Sequence, residues 1–258
     1  MKISAHCLVR NEARFVWYSI MSVIDYVDEV LVWDNGSTDL TSKIVHLIRD
    51  PKIRFSDAKS MPLESARNAM IDATDADWIF VLDGDEIWYD DAMFKVRQEI
   101  GRFNDQKDCM AVSNYMLVGD MFHYQEEKAG RYEIACKKGH LNVRAIRKTG
   151  GLHVEGVYGN EAFVTGGGVK VQNLPSERIL SIDSIYLHTS FLKRGKHEIG
   201  EKLPLDFYYP EVFFRPRPEI VPSVWETMNA NFKSISLLET PLRKIYRRTL
   251  LPFKRHGY

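Results

Sequence analysis

The stretch Trp78-Ile79-Phe80-Val81-Leu82-Asp83-Gly84-Asp85-Glu86 decides how this chain is read. Five bulky apolar residues form a strand suited to burial on both faces. The strand ends abruptly in three carboxylates interrupted by one glycine. Carboxylates at the C-terminal end of a buried parallel strand stand where open α/β sheets bind ligands. Two aspartates on either side of a small residue suit a hard divalent cation, which prefers oxygen and commonly bridges protein to phosphate. A metal–diphosphate site is therefore the first expectation. The plain alternative is a polar turn in which Gly84 supplies a positive φ.

Upstream of this strand, helix and strand alternate. Ile3 to Val9 is a short apolar run, and Phe15, Ile20, Val23, Ile24 and Val27 share one helical stripe over Phe15–Val27. Val30-Leu31-Val32-Trp33 is a second buried strand. The turn Asp34-Asn35-Gly36-Ser37-Thr38-Asp39 follows, and Thr38 or Asp39 can cap a helix over Leu40–Arg49. Ile53-Arg54-Phe55 reads as a third strand and Leu63 to Asp72 as a helix of small residues. This succession predicts an α/β fold with a Rossmann-like, mainly parallel sheet flanked by helices and right-handed crossovers. Polar loops then gather at one edge: Arg10-Asn11-Glu12, the Asp34 turn, Asp57, and Asp83-Gly84-Asp85.

Downstream, Ala111–Val118, Arg131–Cys136, Leu141–Ile146 and Ile185–His188 read as strands with few helices between them. A mixed-sheet extension covering the ligand crevice is expected. At 258 residues the chain fits one α/β domain with an appendage. The expected division is 1–203, with a nucleotide-binding half 1–105 and an acceptor half 106–203, followed by 204–258. That last part is Pro- and aromatic-rich, then helical over Ser223–Leu238 and Pro241–Leu251. After Glu239 it carries Arg243, Lys244, Arg247, Arg248, Lys254 and Arg255 among apolar residues, and no acid. Such a tail (241–255) either lies on an anionic membrane surface or packs on the body with a solvated basic face.

Lys and Arg number 35 against 35 Asp and Glu, so no global field argues for nucleic acid as a partner. Cys7, Cys109 and Cys136 are sparse and odd in number, which suggests a reducing compartment without disulfides. The N-terminus opens directly into a strand and no run reaches the roughly 18 apolar residues of a membrane span. The expected location is the cytoplasm, with peripheral contact at the cytoplasmic membrane face as the tail's open option.

With these elements in order, the chain resembles family 2 glycosyltransferases of the GT-A fold. The resemblance rests on Leu8-Val9-Arg10-Asn11-Glu12-Ala13, Val32-Trp33-Asp34-Asn35-Gly36-Ser37-Thr38-Asp39, Ser65-Ala66-Arg67-Asn68-Ala69 and Val81-Leu82-Asp83-Gly84-Asp85-Glu86. They follow the family's order and spacing over residues 1–90. More loosely, Arg144-Ala145-Ile146-Arg147, Gly159-Asn160-Glu161 and Tyr186-Leu187-His188 resemble acceptor-side elements of related enzymes. The resemblance does not extend to the last fifty residues.

The resemblance implies transfer of a sugar from a nucleotide diphosphate donor to a hydroxyl, with inversion. A UDP-sugar is favoured and GDP-mannose is second; the acceptor is a glycan or a lipid-linked group. Negative charge grows on the departing diphosphate, and Mn2+ or Mg2+ would neutralise it as a Lewis acid. By resemblance Asp85 ligates the metal, Asp83 meets the ribose or reaches the metal through water, and His188 is a further ligand. His188 is otherwise a hydrogen-bonded strand-end histidine, and Glu86 is either a support behind the metal ligands or a helix-start acid. Nucleotide contacts fall to Val9, Asn11, Glu12, Asp34, Arg67 and Asp83; a purely structural Arg67 would pair with Asp57 or Asp83. An inverting enzyme needs a base for the attacking hydroxyl. Counting from Arg147 lands on Glu161, although Asn160 stands where relatives carry histidine, and Glu155 is the alternative. Arg194 and Lys196 either close over the diphosphate or form a solvated turn. Trp88, Tyr89 and Tyr115 either stack on a sugar or belong to the core.

Two rival functions stand beside this one. Nucleotidyl transfer onto a sugar phosphate commonly uses a glycine-rich basic loop after the first strand, and Leu8-Val9-Arg10-Asn11-Glu12 has no glycine. A non-catalytic sugar- or membrane-binding module would not need the carboxylates.

Overall fold

The computed structural model describes residues 1–157, 159–192, 205–208 and 211–228. Its frame is a ten-stranded sheet. Four parallel strands, β1 (Ile3–Val9), β2 (Glu29–Asp34), β3 (Ile53–Asp57) and β4 (Trp78–Asp83), lie side by side in the order β3-β2-β1-β4. They are joined by α1 (Val16–Val23), α2 (Thr41–Leu47) and α3 (Leu63–Asp72). The register pairs Leu8 with Asp83, Val9 with Asp34, and Asp34 with Asp57. The polar strand ends therefore form one row, as the alternation of elements predicts. Helix α1 is shorter than its apolar stripe. After Val23 the chain closes a tight turn, Tyr26 N–H donating to the Val23 carbonyl at 2.9 Å, and still buries Ile24 and Val27.

The rest of the sheet is mixed. The remaining strands are β5 (Glu86–Trp88), β6 (Cys109–Val118), β7 (His123–Gln125), β8 (Tyr132–Ile134), β9 (Lys137–Gly139), β10 (Leu141–Arg147), β11 (His153–Glu155), β12 (Ala162–Val164), β13 (Ile179–Phe191) and β14 (Leu205–Phe207). Helix α4 (Asp90–Phe103) separates β5 from β6. Strand β10 is antiparallel to both β4 and β6. Strand β13 is parallel to β6 and antiparallel to β5, which sets His188 opposite Glu86. The pairs β8–β9 and β11–β12 form separate two-stranded ribbons.

Two expectations need correcting. Arg131–Cys136 is not one strand: Ala135 (φ 49°) and Cys136 (φ 65°) make a tight turn between β8 and β9. Two consecutive left-handed residues are the signature of a hairpin turn whose twist matches its strands, and neither is the usual Asn or Gly. The expected helix from Ser223 does not start as one either. Ser223 caps only a 3-10 turn, Val224–Thr227, and Met228 is already extended. The remainder of that helix, the Pro241–Leu251 helix, the basic tail 241–255, and Arg194 and Lys196 lie outside the described residues.

The core explains why β5 and β13 sit under the site. Trp88 stacks on Tyr186 with ring centroids 4.4 Å apart and meets Phe80 edge-on at 4.9 Å. All three are fully buried, and each such side chain contributes about 1.5–3 kcal/mol by leaving water. Of the later residues, β14 pairs with β7, and Phe213 meets Tyr18 of α1 at 5.7 Å. Cys7 and Cys109 are core residues and Cys136 is exposed, all with free thiols. Among the described residues, no helix is long and apolar enough to cross a membrane.

Candidate active site

The carboxylate end of β4 faces a cleft of about 1070 Å³. Its position depends on Gly84, but not through a positive φ. Gly84 is absent from the left-handed glycines. What it supplies is space: a Cβ there would stand 2.9 Å from both Val9 Cγ1 and Glu12 Cγ. The glycine lets the carboxylate turn press against the end of β1. Gly36, by contrast, does use φ +83°, in the turn after β2.

Two arginines meet the first carboxylate. Arg67, on α3, reaches Asp83 Oδ1 at 3.4 Å, and Arg144, on β10, donates to Asp83 Oδ2 at 3.0 Å. Arg144 also ion-pairs with Glu86 and donates to the Tyr186 hydroxyl at 3.1 Å. The β6–β10 register slips between Val143 and Ala145, so Arg144 occupies a bulge. Bulges re-aim a side chain, and this one turns a cation into a wall of acids. Burial pushes the Asp83 carboxyl upward, but the Arg144 and Arg67 guanidiniums outweigh it and hold it below the ordinary range. Glu86 is fully buried, and burial carries its carboxyl up to about 7 against the pull of Arg144. Its place is inside β5, behind the site, not at the start of a helix.

Asp85 does not share these partners with Asp83: Arg67 and Arg144 meet Asp83, while Asp85 meets β13. Its Oδ2 lies 3.3 Å from His188 Nε2 and accepts from the Ser190 hydroxyl at 3.0 Å; that hydroxyl is 2.8 Å from the same Nε2. Burial lowers the His188 pKa, but the Asp85 carboxylate overrides it and leaves the imidazole raised. Thr189 ties β13 down by donating twice to the Asp85 carbonyl, at 3.0 Å each. The donor set fits a divalent cation: one hard oxygen and one imidazole nitrogen. Neighbouring ligands bound at about 2.1 Å stand about 3 Å apart, close to the observed separation. The expected triad of Asp85, Asp83 and His188 does not assemble, because both Asp83 oxygens face guanidiniums. Among the described residues no group of three such ligands exists. Asp85 and His188 are the pair that can hold a metal, with water or phosphate completing the shell.

The expected nucleotide contacts separate into two sets. Val9, Glu12, Arg67 and Asp83 line the cleft. Asn11 and Asp34 do not; they build the loop beneath it. Asn11 (φ 60°) accepts from Thr38 N–H at 2.7 Å, and Asp34 accepts from Ser37 N–H at 2.7 Å. Arg67 is buried, yet its Nη1 has no hydrogen-bond partner among the described residues. The candidate bases also part company. Glu161 lines the cleft, 3.9 Å from Arg67 Nε, and is steadied by Gly159 N–H at 2.8 Å. Glu155 is exposed on β11, paired with His153 at 2.9 Å. Trp88 is buried in the core, whereas Tyr89 and Tyr115 are partly buried and packed against it, Tyr115 stacking on Tyr124 at 3.8 Å.

Arg144 and Asn68 stand in quoted motifs without a role of their own, and Ser190 is in none. Arg144 had a signal: a lone cation inside the apolar run Leu141–Ile146. Asn68 brackets the backbone of Val154, donating to its carbonyl (2.9 Å) and accepting from its N–H (2.7 Å), which pins β11–β12 to α3. Nothing in the sequence marked Ser190.

Comparison with known proteins adds the following. A family model described as Glycosyl transferase family 2 matches residues 4–150. A TPR repeat-containing protein of Synechococcus elongatus is 34% identical over 110 residues, 43% of this chain and 26% of that protein. S. aureus TarS 1–349 superposes with a TM-score of 0.50 at 15% identity, covering 73% of this chain and 60% of that one. Its complex with UDP-GlcNAc gives 0.52 at 15% identity, covering 79% and 62%. The chain thus spans about a quarter of the first relative's length and about three fifths of TarS 1–349. At such identity the likeness to TarS is one of fold, a mostly parallel GT-A-like sheet.

Proposed function

The chain belongs to glycosyl transferase family 2, and from that membership we propose that it moves a sugar from a nucleotide diphosphate donor to a hydroxyl acceptor, with inversion and with the help of a divalent cation. One observation carries this reading. Asp85 and His188, 3.3 Å apart, share the wall of a single cleft with Arg67 and Glu161.

Each residue then has a task. Arg67, with an unspent N–H, binds the donor's phosphate or base. Gly84 lets the nucleotide end of the cleft close against Val9 and Glu12. Asp85 and His188 would hold Mn2+ or Mg2+, which when bound supplies Lewis-acid neutralisation of the leaving diphosphate. Arg144 keeps Asp83 ionised and Glu86 in place. Glu161 takes the proton from the attacking hydroxyl. Residues 1–105 serve the donor and 106–203 the acceptor. TarS, which shares the fold, is described in complexes with UDP and UDP-GlcNAc, which favours a uridine nucleotide here. The reading keeps the cytoplasm as the location, with the tail 241–255 available for a membrane face.

The test is a screen of nucleotide sugars incubated with the full chain and manganese. Release of nucleoside diphosphate from one of them is expected. Release of pyrophosphate from a nucleoside triphosphate and a sugar phosphate would mark nucleotidyl transfer instead and overturn the proposal.

A further inference from the structure

The cleft does not end at the donor residues. Beyond Asp85 and Ser190 it continues along β6, β10 and the β8–β9 hairpin, and this stretch of wall is built differently. Its polar groups are the amides of Asn114, Asn142 and Gln172 and the imidazole of His140. Its charged side chains are Glu133, Glu161 and Arg144, and Arg144 is occupied by Asp83 and Glu86. An anionic group entering here would meet two carboxylates; Arg144 is engaged, Arg67 lies at the donor end of the cleft, and the hairpin's Lys137 and Lys138 are exposed and outside the lining.

Asn114 carries the argument further. It is 5% exposed. Its Nδ2 donates to the His140 carbonyl at 3.1 Å, and its backbone N–H donates to the same oxygen at 2.9 Å. Because a carbonyl can only accept, this bond fixes which end of the amide is nitrogen. The other end, Oδ1, is buried without a hydrogen-bond partner among the described residues. A buried acceptor left unpaired costs about 1–3 kcal/mol, so the group suited to it is one that donates. A hydroxyl donates; an ionised phosphate or carboxylate does not. At the rim, Tyr132 on β8 is 64% exposed, an unusual exposure for a large ring whose face suits the apolar side of a pyranose.

We infer that this wall binds an uncharged saccharide as acceptor, a sugar hydroxyl donating to Asn114 Oδ1 and the Tyr132 ring stacking against a sugar face. The inference rests on the transfer reading above. In the step it serves, the bond between the donor's anomeric carbon and the diphosphate oxygen breaks, its electron pair leaving with the diphosphate. The acceptor oxygen bonds to that carbon, and its proton passes to Glu161.

The experiment uses the full chain, manganese, and the nucleotide sugar with the highest release of diphosphate, labelled in its sugar. Acceptors are neutral gluco-, galacto- and manno-configured oligosaccharides and their sulfated and phosphorylated counterparts. Label is expected in a neutral oligosaccharide, with at least tenfold less in its anionic counterparts. Asn114→Ala and Tyr132→Ala should each raise the acceptor KM about tenfold, the equivalent of about 1.4 kcal/mol, and lower the ratio of transfer to donor hydrolysis. Diphosphate release with label found only in anionic acceptors, or an acceptor KM unmoved in both variants, would overturn the acceptor assignment alone. No turnover of any nucleotide sugar would overturn the transfer reading, and this inference with it.

Discussion

The parallel strands β1–β4 and the mixed strands β6, β10 and β13 meet at the same turn but bring opposite charge to it. The first set delivers acids: Asp83 and Asp85 follow directly from the end of β4, with Glu86 next in β5. The second set delivers cations and hydrogen-bond donors from far along the chain: Arg144 to Asp83 and Glu86, His188 and Ser190 to Asp85. Arg67 is the cation that the parallel set contributes itself. A cluster of carboxylates this buried would not stay ionised alone. The mixed half therefore does more than cover the crevice. It splits the acids: Asp83 is held by guanidiniums, while Asp85 meets His188 and Ser190.

That division can be broken from either side. The largest effect is expected from Asp85→Ala, which should cut transfer on the order of 10³-fold while circular dichroism and the melting temperature change little. Glu161→Gln should cost about 10²–10⁴-fold in kcat by removing the base. Glu155→Gln, exposed and outside the cleft, should stay within about twofold; equal losses in the two variants would erase the distinction drawn between them. Arg144→Met attacks the mixed half. It leaves Glu86 without its buried counter-ion and Asp83 with Arg67 alone, and should lower stability by about 3–5 kcal/mol in urea unfolding. A stable variant with native activity would mean that the acids need no partner from β10. Gly84→Ala forces a methyl against Val9 and Glu12; it should cost about 1–3 kcal/mol and weaken nucleotide binding.

The smallest effect sharpens the comparison through pH. Glu86 is raised from 4.5 to about 7 in the folded protein. Between those values the folded state holds a proton that the unfolded state has lost, so stability falls as pH rises through that window. His188, also raised, adds to the fall above its ordinary value of 6.5. Glu86→Gln should flatten the slope of unfolding free energy between pH 4.5 and 7. An unchanged slope would show that Glu86 does not titrate there.

The two regions also differ in what their sequence discloses. In the parallel half Asp83 and Asp85 end an apolar strand and Arg67 lies in the helix just before it, each within its motif, so all three stand out in the sequence. Asn11 and Asp34 also bond the loop backbone, because a side-chain acceptor near free backbone N–H groups is as well used by a turn as by a nucleotide. In the mixed half the same chemistry rests on single residues in apolar strands. Arg144 depends on a one-residue bulge, and bulges leave no mark in a hydrophobic pattern. His188 and Ser190 depend on β13 lying between β5 and β6, pairings that join residues far apart in the chain, such as Tyr186 with Trp88 and Ile179 with Cys109. Asn114 is an ordinary strand asparagine until its unpaired oxygen is located.

The central claim is that Asp85 and His188 share a cation with a nucleotide diphosphate. Calorimetric titration of UDP into the full chain tests it most directly, with manganese and then with excess chelator, in the native protein and in Asp85→Ala. The account predicts binding in the native protein that weakens at least about tenfold, or 1.4 kcal/mol, when the metal is removed. It predicts equally weak binding in Asp85→Ala under both conditions. Tight binding that ignores the chelator, or full metal dependence retained by Asp85→Ala, would contradict it.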